Sequence, residues 1–244
     1  MSATGSKDEL LRCLQGRHRF LLDVRFDPSR VGPKTIQFEG LRYHRFMDYV
    51  YLPKPPQELA PDEVVALCDL RIEIFDRVVD KSLNRRIVAC MAESVRQEVG
   101  DALPAITKVL DFGCGTGLAS TLFREVWSLP CETTGVDLSL RAVELARASG
   151  LEARLVRTGD LLPFTTATFD VVIACFVLHF RIDATSLTEI RRVLRADGIF
   201  VFNLYNTPPD GLWASFARAG LVVCSSPSYC DLPGTHRVWW ARPR

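Results

Sequence analysis

Long apolar runs, a charge surplus and paired-cysteine motifs are all missing from this sequence, and each absence removes a class of protein. The longest relevant apolar run, Val171 to Leu178, is far too short to cross a bilayer. Met1 to Leu10 is polar and has no apolar h-region, so no signal peptide is expected and the expected location is cytoplasmic. Lys and Arg number 30 against 29 Asp and Glu, a formal charge of +1 that leaves no broad footprint for a polyanion. Neither a nucleic-acid nor a membrane partner is expected. The eight cysteines (Cys13, Cys68, Cys90, Cys114, Cys131, Cys175, Cys224, Cys230) lie far apart, with no C-x-x-C pair and no histidine at zinc-ligand spacing. No metal is expected, and the thiols read as reduced, small hydrophobes. No internal repeat or low-complexity tract is present either.

What remains is an ordinary globular composition, 48% hydrophobic and 24% charged, which excludes disorder and fibrous repeats. The 244 residues suit one large α/β domain or a core with an appended segment. From about Ala105 onward, short β-rich runs alternate with helical patterns, the signature of a parallel sheet flanked by helices. Strands are predicted at Lys108 to Asp111, Thr133 to Asp137, Glu152 to Arg157, Phe169 to Phe176 and Ile199 to Leu204. The fourth has consecutive apolar positions, as a strand buried on both faces requires. Helices are predicted at Leu118 to Trp127, Ser139 to Ser149, Ser186 to Leu194 and Leu212 to Ala219. Leu221 to Cys224 and Arg237 to Ala241 read as a closing hairpin.

The first hundred residues read differently. Helices are predicted over Asp62 to Val79, with Val64, Cys68, Ile72, Phe75 and Val79 on one stripe, and over Leu83 to Val99. Ahead of them Ile36 and Phe38 alternate with polar residues, and an aromatic run follows (Tyr43, His44, Phe46, Tyr49, Tyr51). The division expected is a helical cap or lid over residues 1–100 and a core over 101–244. Arg17, His18, Arg19, Arg42, His44 and Arg45 can be read as an anion site or an RNA contact, but a solvated charged face is the commoner reading of such a cluster.

The chemistry concentrates in Asp111-Phe-Gly113-Cys-Gly115-Thr-Gly117, three glycines at alternate positions between a strand and a helix. Such a loop lets backbone approach a ligand, and the helix behind it offers unpaired N–H groups and a positive dipole end. Asp137 ends the next strand, where a carboxylate can accept from two ribose hydroxyls. A dinucleotide fingerprint would need a small residue at 118, but position 118 is Leu. Asp111, two residues ahead of the first glycine, is placed to meet an ammonium. Both features suit a nucleoside bearing an amino acid.

Val109-Leu-Asp-Phe-Gly-Cys-Gly-Thr-Gly117 resembles the signature loop of class I S-adenosylmethionine-dependent methyltransferases, and Gly135-Val-Asp-Leu-Ser139 resembles their second-strand motif. Gly159-Asp160-Leu161 is similar to the segment whose acid meets the adenine amino group and whose next residue packs on the ring. Leu162-Pro-Phe164 and Phe169 to His179 resemble the fourth strand and exit loop of the small-molecule branch. Arg192 to Gly198 resembles the turn R-V-L-K-P-G-G, with Ala196 and Asp197 in place of Pro-Gly.

This resemblance, carried by residues 107–204, implies a seven-stranded, mostly parallel α/β Rossmann-like sheet with helices on both faces. It implies S-adenosylmethionine as cofactor and S-adenosylhomocysteine as product. The implied cofactor residues are Asp111, Gly113, Cys114, Gly115, Gly117, Asp137, Leu138, Asp160, Leu161 and Cys175. Phe176, His179, Phe180 and Tyr205 are expected to line the acceptor pocket, with His179 the candidate base for an O, N or C acceptor on a small molecule. Catalysis by proximity alone is the rival for His179. An RNA or protein methyltransferase, or a silent cofactor-binding partner subunit, are the rival functions. Asn203-Leu-Tyr-Asn-Thr-Pro-Pro209 is similar to the Asn-Pro-Pro-aromatic motif of amino-group methyltransferases, but it follows the fifth strand instead of the fourth and reads as coincidence.

Overall fold

The computed structural model describes residues 10–15, 18–23, 33–46, 50–78, 81–180, 182–205, 208, 210–224, 232 and 236–244. The chain divides into two compact units, Met1–Val79 and Asp80–Arg244.

The first unit is built on strands β1 (Leu10–Gln15), β2 (His18–Asp23), β3 (Thr35–Phe38), β4 (Leu41–Phe46) and β5 (Val50–Leu52), followed by helix α1 (Pro61–Val78). The strands form one antiparallel sheet in the order β1-β2-β5-β4-β3. Glu39 and Gly40, both at positive φ (48° and 78°), join β3 to β4 as the two-residue hairpin turn that matches strand twist. Leu21, Tyr43 and Tyr51 form the centre of this unit's core, with Ile36 and Phe38 packed against it. Helix α1 opens with Pro61 at its first position, and Glu63 reaches back to the Ala60 amide at 2.7 Å.

A helical segment through residue 100 was the expectation, and the structure differs. A five-stranded sheet precedes α1, and the second helix belongs to the other unit. The strands are only three to six residues long, too short for a period-2 pattern to stand out. Tyr49 and the side chains of His18, Phe75 and Val79 lie outside the described residues.

The second unit runs α2 (Lys81–Val99), β6 (Thr107–Phe112), α3 (Leu118–Trp127), β7 (Cys131–Asp137), α4 (Leu140–Ala148), β8 (Glu152–Leu155), β9 (Phe169–Ala174), α5 (Ala184–Val193), β10 (Leu194–Tyr205), α6 (Leu212–Arg218), β11 (Leu221–Cys224) and β12 (His236–Pro243). Its seven strands lie in the order β11-β12-β10-β9-β6-β7-β8. The five from β10 to β8 are parallel, and β12 and β11 are antiparallel. Every residue of β9 is buried, as expected of the central strand. Val171 and Ile173 join the core formed with α2 and α3, whereas Val172 and Ala174 join the core formed with α5 and α6. That division follows from the alternation of side chains across a strand.

The boundaries shift in places. β9 ends at Ala174, two residues early, because Phe176 adopts a left-handed φ of 60°. β10 begins at Leu194 and carries a bulge before Ile199, so Ala196 and Asp197 sit within a strand irregularity. Cys68, Cys114, Cys131, Cys175 and Cys224 are not disulfide-bonded, but Cys90 on α2 is, against the expectation of reduced thiols throughout. No helix among the described residues is long and apolar enough to cross a membrane.

Candidate active site

The loop between β6 and α3 is shaped by its glycines. Gly113 has φ 75°, and a Cβ there would lie 2.4 Å from Cγ2 of Val177 on the β9 exit loop. Only glycine fits both the backbone angle and the space. The amides of Gly113 and Cys114 donate to the Val136 carbonyl at 2.8 and 3.0 Å, tying the loop to β7. Gly117, at φ 88°, is the N-cap of α3 and supplies no side-chain cap. Cys114 turns its side chain to a small core with Val143, Ala146 and Leu151, and its Sγ donates to the Gly115 carbonyl at 3.6 Å. Burial pushes its thiol well above the ordinary range. Gly135 permits this packing, since a Cβ there would meet Cys114 Sγ at 2.7 Å.

Two carboxylates flank the loop. Asp111 is fully buried, and its Oδ2 accepts from the Ser120 amide at 3.1 Å and the Ser120 hydroxyl at 2.7 Å. It therefore caps α3 from the preceding strand, a role the sequence did not disclose. Oδ1 has no hydrogen-bond partner among the described residues. Burial raises the Asp111 pKa to about 7, against the opposing pull of Ser120, and the charge of Asp137 adds to the rise. Asp137, 8% exposed, accepts from the Gly115 amide through Oδ2 and from the Ser139 amide through Oδ1, both at 2.8 Å. A pair of neighbouring carboxylates at one helix N-terminus is an environment that a cationic group relieves. Leu138 beside them is half-buried.

Asp160 and Leu161 lie on the loop after β8. Asp160 is exposed, and Leu161 is 72% exposed, far above the usual value for a leucine. Both stand at the same carboxyl edge of the parallel strands as the glycine loop, two strands further out, beyond β7.

The other side of this edge is aromatic. Phe176, His179, Tyr205 and His236 form a ring cluster: Phe176 lies 5.8 Å from His179 and 5.7 Å from His236, and Tyr205 lies 6.5 Å from His179 and 4.7 Å from His236. His179 is 7% exposed, and its Nδ1 accepts the Tyr205 amide at 3.4 Å. Phe180 is buried nearby in sequence, closing the exit loop by donating its amide to the Val177 carbonyl at 3.1 Å. Cys175, half-buried, packs toward the α2–α3 side.

Sequence reasoning missed His236, because it gave the last strand no role beyond closure. β12 is antiparallel, so its amino end lies beside Tyr205 at the functional edge. It also dismissed Asn203. That side chain is fully buried, and its Oδ1 accepts the Phe176 amide at 2.7 Å, which holds a residue whose left-handed backbone costs about 1–2 kcal/mol. Tyr205 falls in the ring cluster, while Asn206 lies outside the described residues.

Residues 110–202 match the model of a methyltransferase domain family. The chain is 38% identical over 124 residues to malonyl-[acyl-carrier protein] O-methyltransferase of Herminiimonas arsenicoxydans, covering 48% of this chain and 45% of that protein. It is 33% identical over 120 residues to ubiquinone biosynthesis O-methyltransferase of Xanthomonas oryzae pv. oryzae, covering 46% and 47% respectively. The matches thus span about half the length of these curated relatives. A TehB-like S-adenosylmethionine-dependent methyltransferase from Corynebacterium glutamicum shares the fold, with a TM-score of 0.51 and 19% identity over 76% of this chain and all of that one.

Proposed function

We propose that this chain carries a class I S-adenosylmethionine-dependent methyltransferase domain and moves a methyl group from that cofactor to an O, N or C atom of a small molecule. The observation that carries the reading is the Gly113 loop set between two carboxylates, with an aromatic cluster at the neighbouring strand ends. Relatives named for acyl-carrier and ubiquinone-pathway acceptors support the small-molecule class.

The residues present fit the cofactor. Asp111 has one buried oxygen without a hydrogen-bond partner among the described residues, and it stands at the N-terminus of α3, where Gly117 offers no side-chain cap; that setting suits an ammonium and a carboxylate on one ligand. Asp137 ends β7 with its carboxylate turned to the Gly115 and Ser139 amides of the loop edge, where it would accept from a ribose hydroxyl. Asp160 would receive the adenine amino group and Leu161 would cover the ring. Gly113, Cys114, Gly115 and Gly117 contribute backbone, and Leu138 and Cys175 would line the floor. When bound, the cofactor supplies an activated methyl for in-line displacement. The chain's own work is to orient the acceptor and exclude water, and four packed rings from three strand ends serve both purposes.

His179 is the residue placed to move a proton, with Phe176, Phe180 and Tyr205 lining the acceptor. With Nδ1 accepting the Tyr205 amide, the neutral ring carries its proton on Nε2 and acts as a donor. Acting as a base through Nε2 requires the long 3.4 Å bond to be given up. His179→Gln keeps a donor and removes the base, so it separates the two roles. The decisive experiment is incubation with methyl-labelled cofactor and fractionated metabolites. Label in a small-molecule fraction is the expected result. Label only in RNA or protein, or cofactor binding without transfer to any fraction, would overturn it.

A further inference from the structure

Glu189 on α5 is a charged residue only 3% exposed, and the site as described gives it no role. A buried carboxylate is costly unless its oxygens are satisfied, and both oxygens of Glu189 are. Oε2 accepts the Leu162 amide at 2.7 Å. Arg192, one turn on, donates through Nε to Oε1 at 2.8 Å and through Nη2 to Oε2 at 2.5 Å. The same guanidinium donates to the carbonyls of Phe164 at 2.8 Å and Leu162 at 3.0 Å. From the other side, Arg154 on β8 donates to the Pro163 carbonyl at 2.7 Å and lies 4.7 Å from the Phe164 ring centroid. Residues 162–164 are thus gripped on both sides, while the two residues just ahead of them, Asp160 and Leu161, stand exposed.

We propose that Glu189 and Arg192 are positioning residues that lock this loop so that Asp160 and Leu161 are held ready for the base of the nucleoside, and that they thereby set its discrimination. The proposal rests on the reading of Asp160 as the partner of the adenine amino group. A carboxylate tells an amino group from a carbonyl only if its position is fixed, since a mobile one simply turns away from the mismatch. Arg192 also holds the Glu189 carboxyl below the usual carboxylate range, so the grip persists through neutral pH.

The test compares two ligands by calorimetry on the full chain: S-adenosylhomocysteine and S-inosylhomocysteine, in which a carbonyl replaces the amino group. The wild type should prefer the adenosyl ligand by about tenfold or more, the worth of one hydrogen bond to a charged group. Glu189→Gln should cut that preference to about threefold or less. Arg192→Lys, which keeps the charge but loses the fork to Leu162 and Phe164, should do the same and serves if the first variant does not fold. Asp160→Asn is the reference for direct contact. Equal weakening of both ligands with the preference unchanged would show a merely structural pair and overturn the proposal. A wild type without preference, or an Asp160→Asn variant that keeps it, would instead remove the adenine reading on which the proposal rests.

Discussion

The two ends of the site, the glycine loop at β6–α3–β7 and the aromatic cluster at β9–β10–β12, are built by different means. At the first end the ligand would meet backbone: amides, a helix N-terminus and two carboxylates whose oxygens are mostly engaged by that backbone. At the second it would meet side chains, four rings whose positions depend on three strand ends and one buried asparagine. A backbone site fixes one ligand and tolerates little change. A side-chain site can be revised one residue at a time. The two ends adjoin where Gly113 packs against Val177 of the β9 exit loop.

The largest effect is expected there. Gly113→Ala places a Cβ 2.4 Å from Val177 Cγ2 in a left-handed backbone. Strain and overpacking together should cost about 2–5 kcal/mol of stability and abolish cofactor binding. Adding Val177→Ala should restore the overpacking part but not the backbone part. Melting curves and calorimetry on the single and double variants check this; full recovery in the double variant would show that φ at this position is immaterial. Next in size is Asp137→Ala, which removes the acceptor of two amides and the proposed ribose contact. Cofactor affinity should fall about a hundredfold, the value of two hydrogen bonds to a charged group. Unchanged affinity would remove the ribose assignment.

On the acceptor side the expected losses are smaller and of another kind. His179→Ala should lower kcat about a hundredfold if the residue is a base, with cofactor affinity unchanged. His179→Gln should then be equally impaired, whereas a donor role predicts that Gln recovers much of the rate. His236→Ala should raise acceptor KM more than it lowers kcat. If either histidine variant altered cofactor affinity as strongly as turnover, the contrast between the two ends would fail.

The same contrast explains what the sequence disclosed. The glycine loop and Asp137 are legible because backbone sites need particular residues at fixed, short spacing, and Leu118 alone was enough to set aside the dinucleotide alternative. The succession of strands and helices along the chain after Ala105 followed from alternating periods. The aromatic cluster was half legible. Phe176 and His179 follow a recognisable strand and Tyr205 ends another, but His236 lies 31 positions beyond Tyr205 on an antiparallel strand, and nothing local marks its direction. Ser120 and Glu189 escaped because their importance lies in which distant backbone they reach. The first unit's sheet escaped because its strands are short and its apolar positions are aromatic clusters without a sustained period.

The smallest predicted effect tests whether Asp111 belongs with the cofactor end in charge as well as position. Burial raises its pKa from 3.8 to about 7, so between those values the folded chain keeps a proton that the unfolded chain has released. The stability contributed by this group is fully present below the unfolded pKa and is lost as pH rises through the folded one. Asp111→Asn, which cannot titrate, should flatten that slope in melts taken from pH 4 to 8. A cationic ligand group favours the ionised carboxylate, so wild-type cofactor affinity should rise with pH, by at most about tenfold between pH 6 and 8, the full titration of one group near 7. The Asn variant should lose this rise while keeping the Ser120 bond through its remaining carbonyl oxygen. A pH-independent affinity in the wild type would mean that the ammonium sits elsewhere, and Asp111 would then be a helix cap alone.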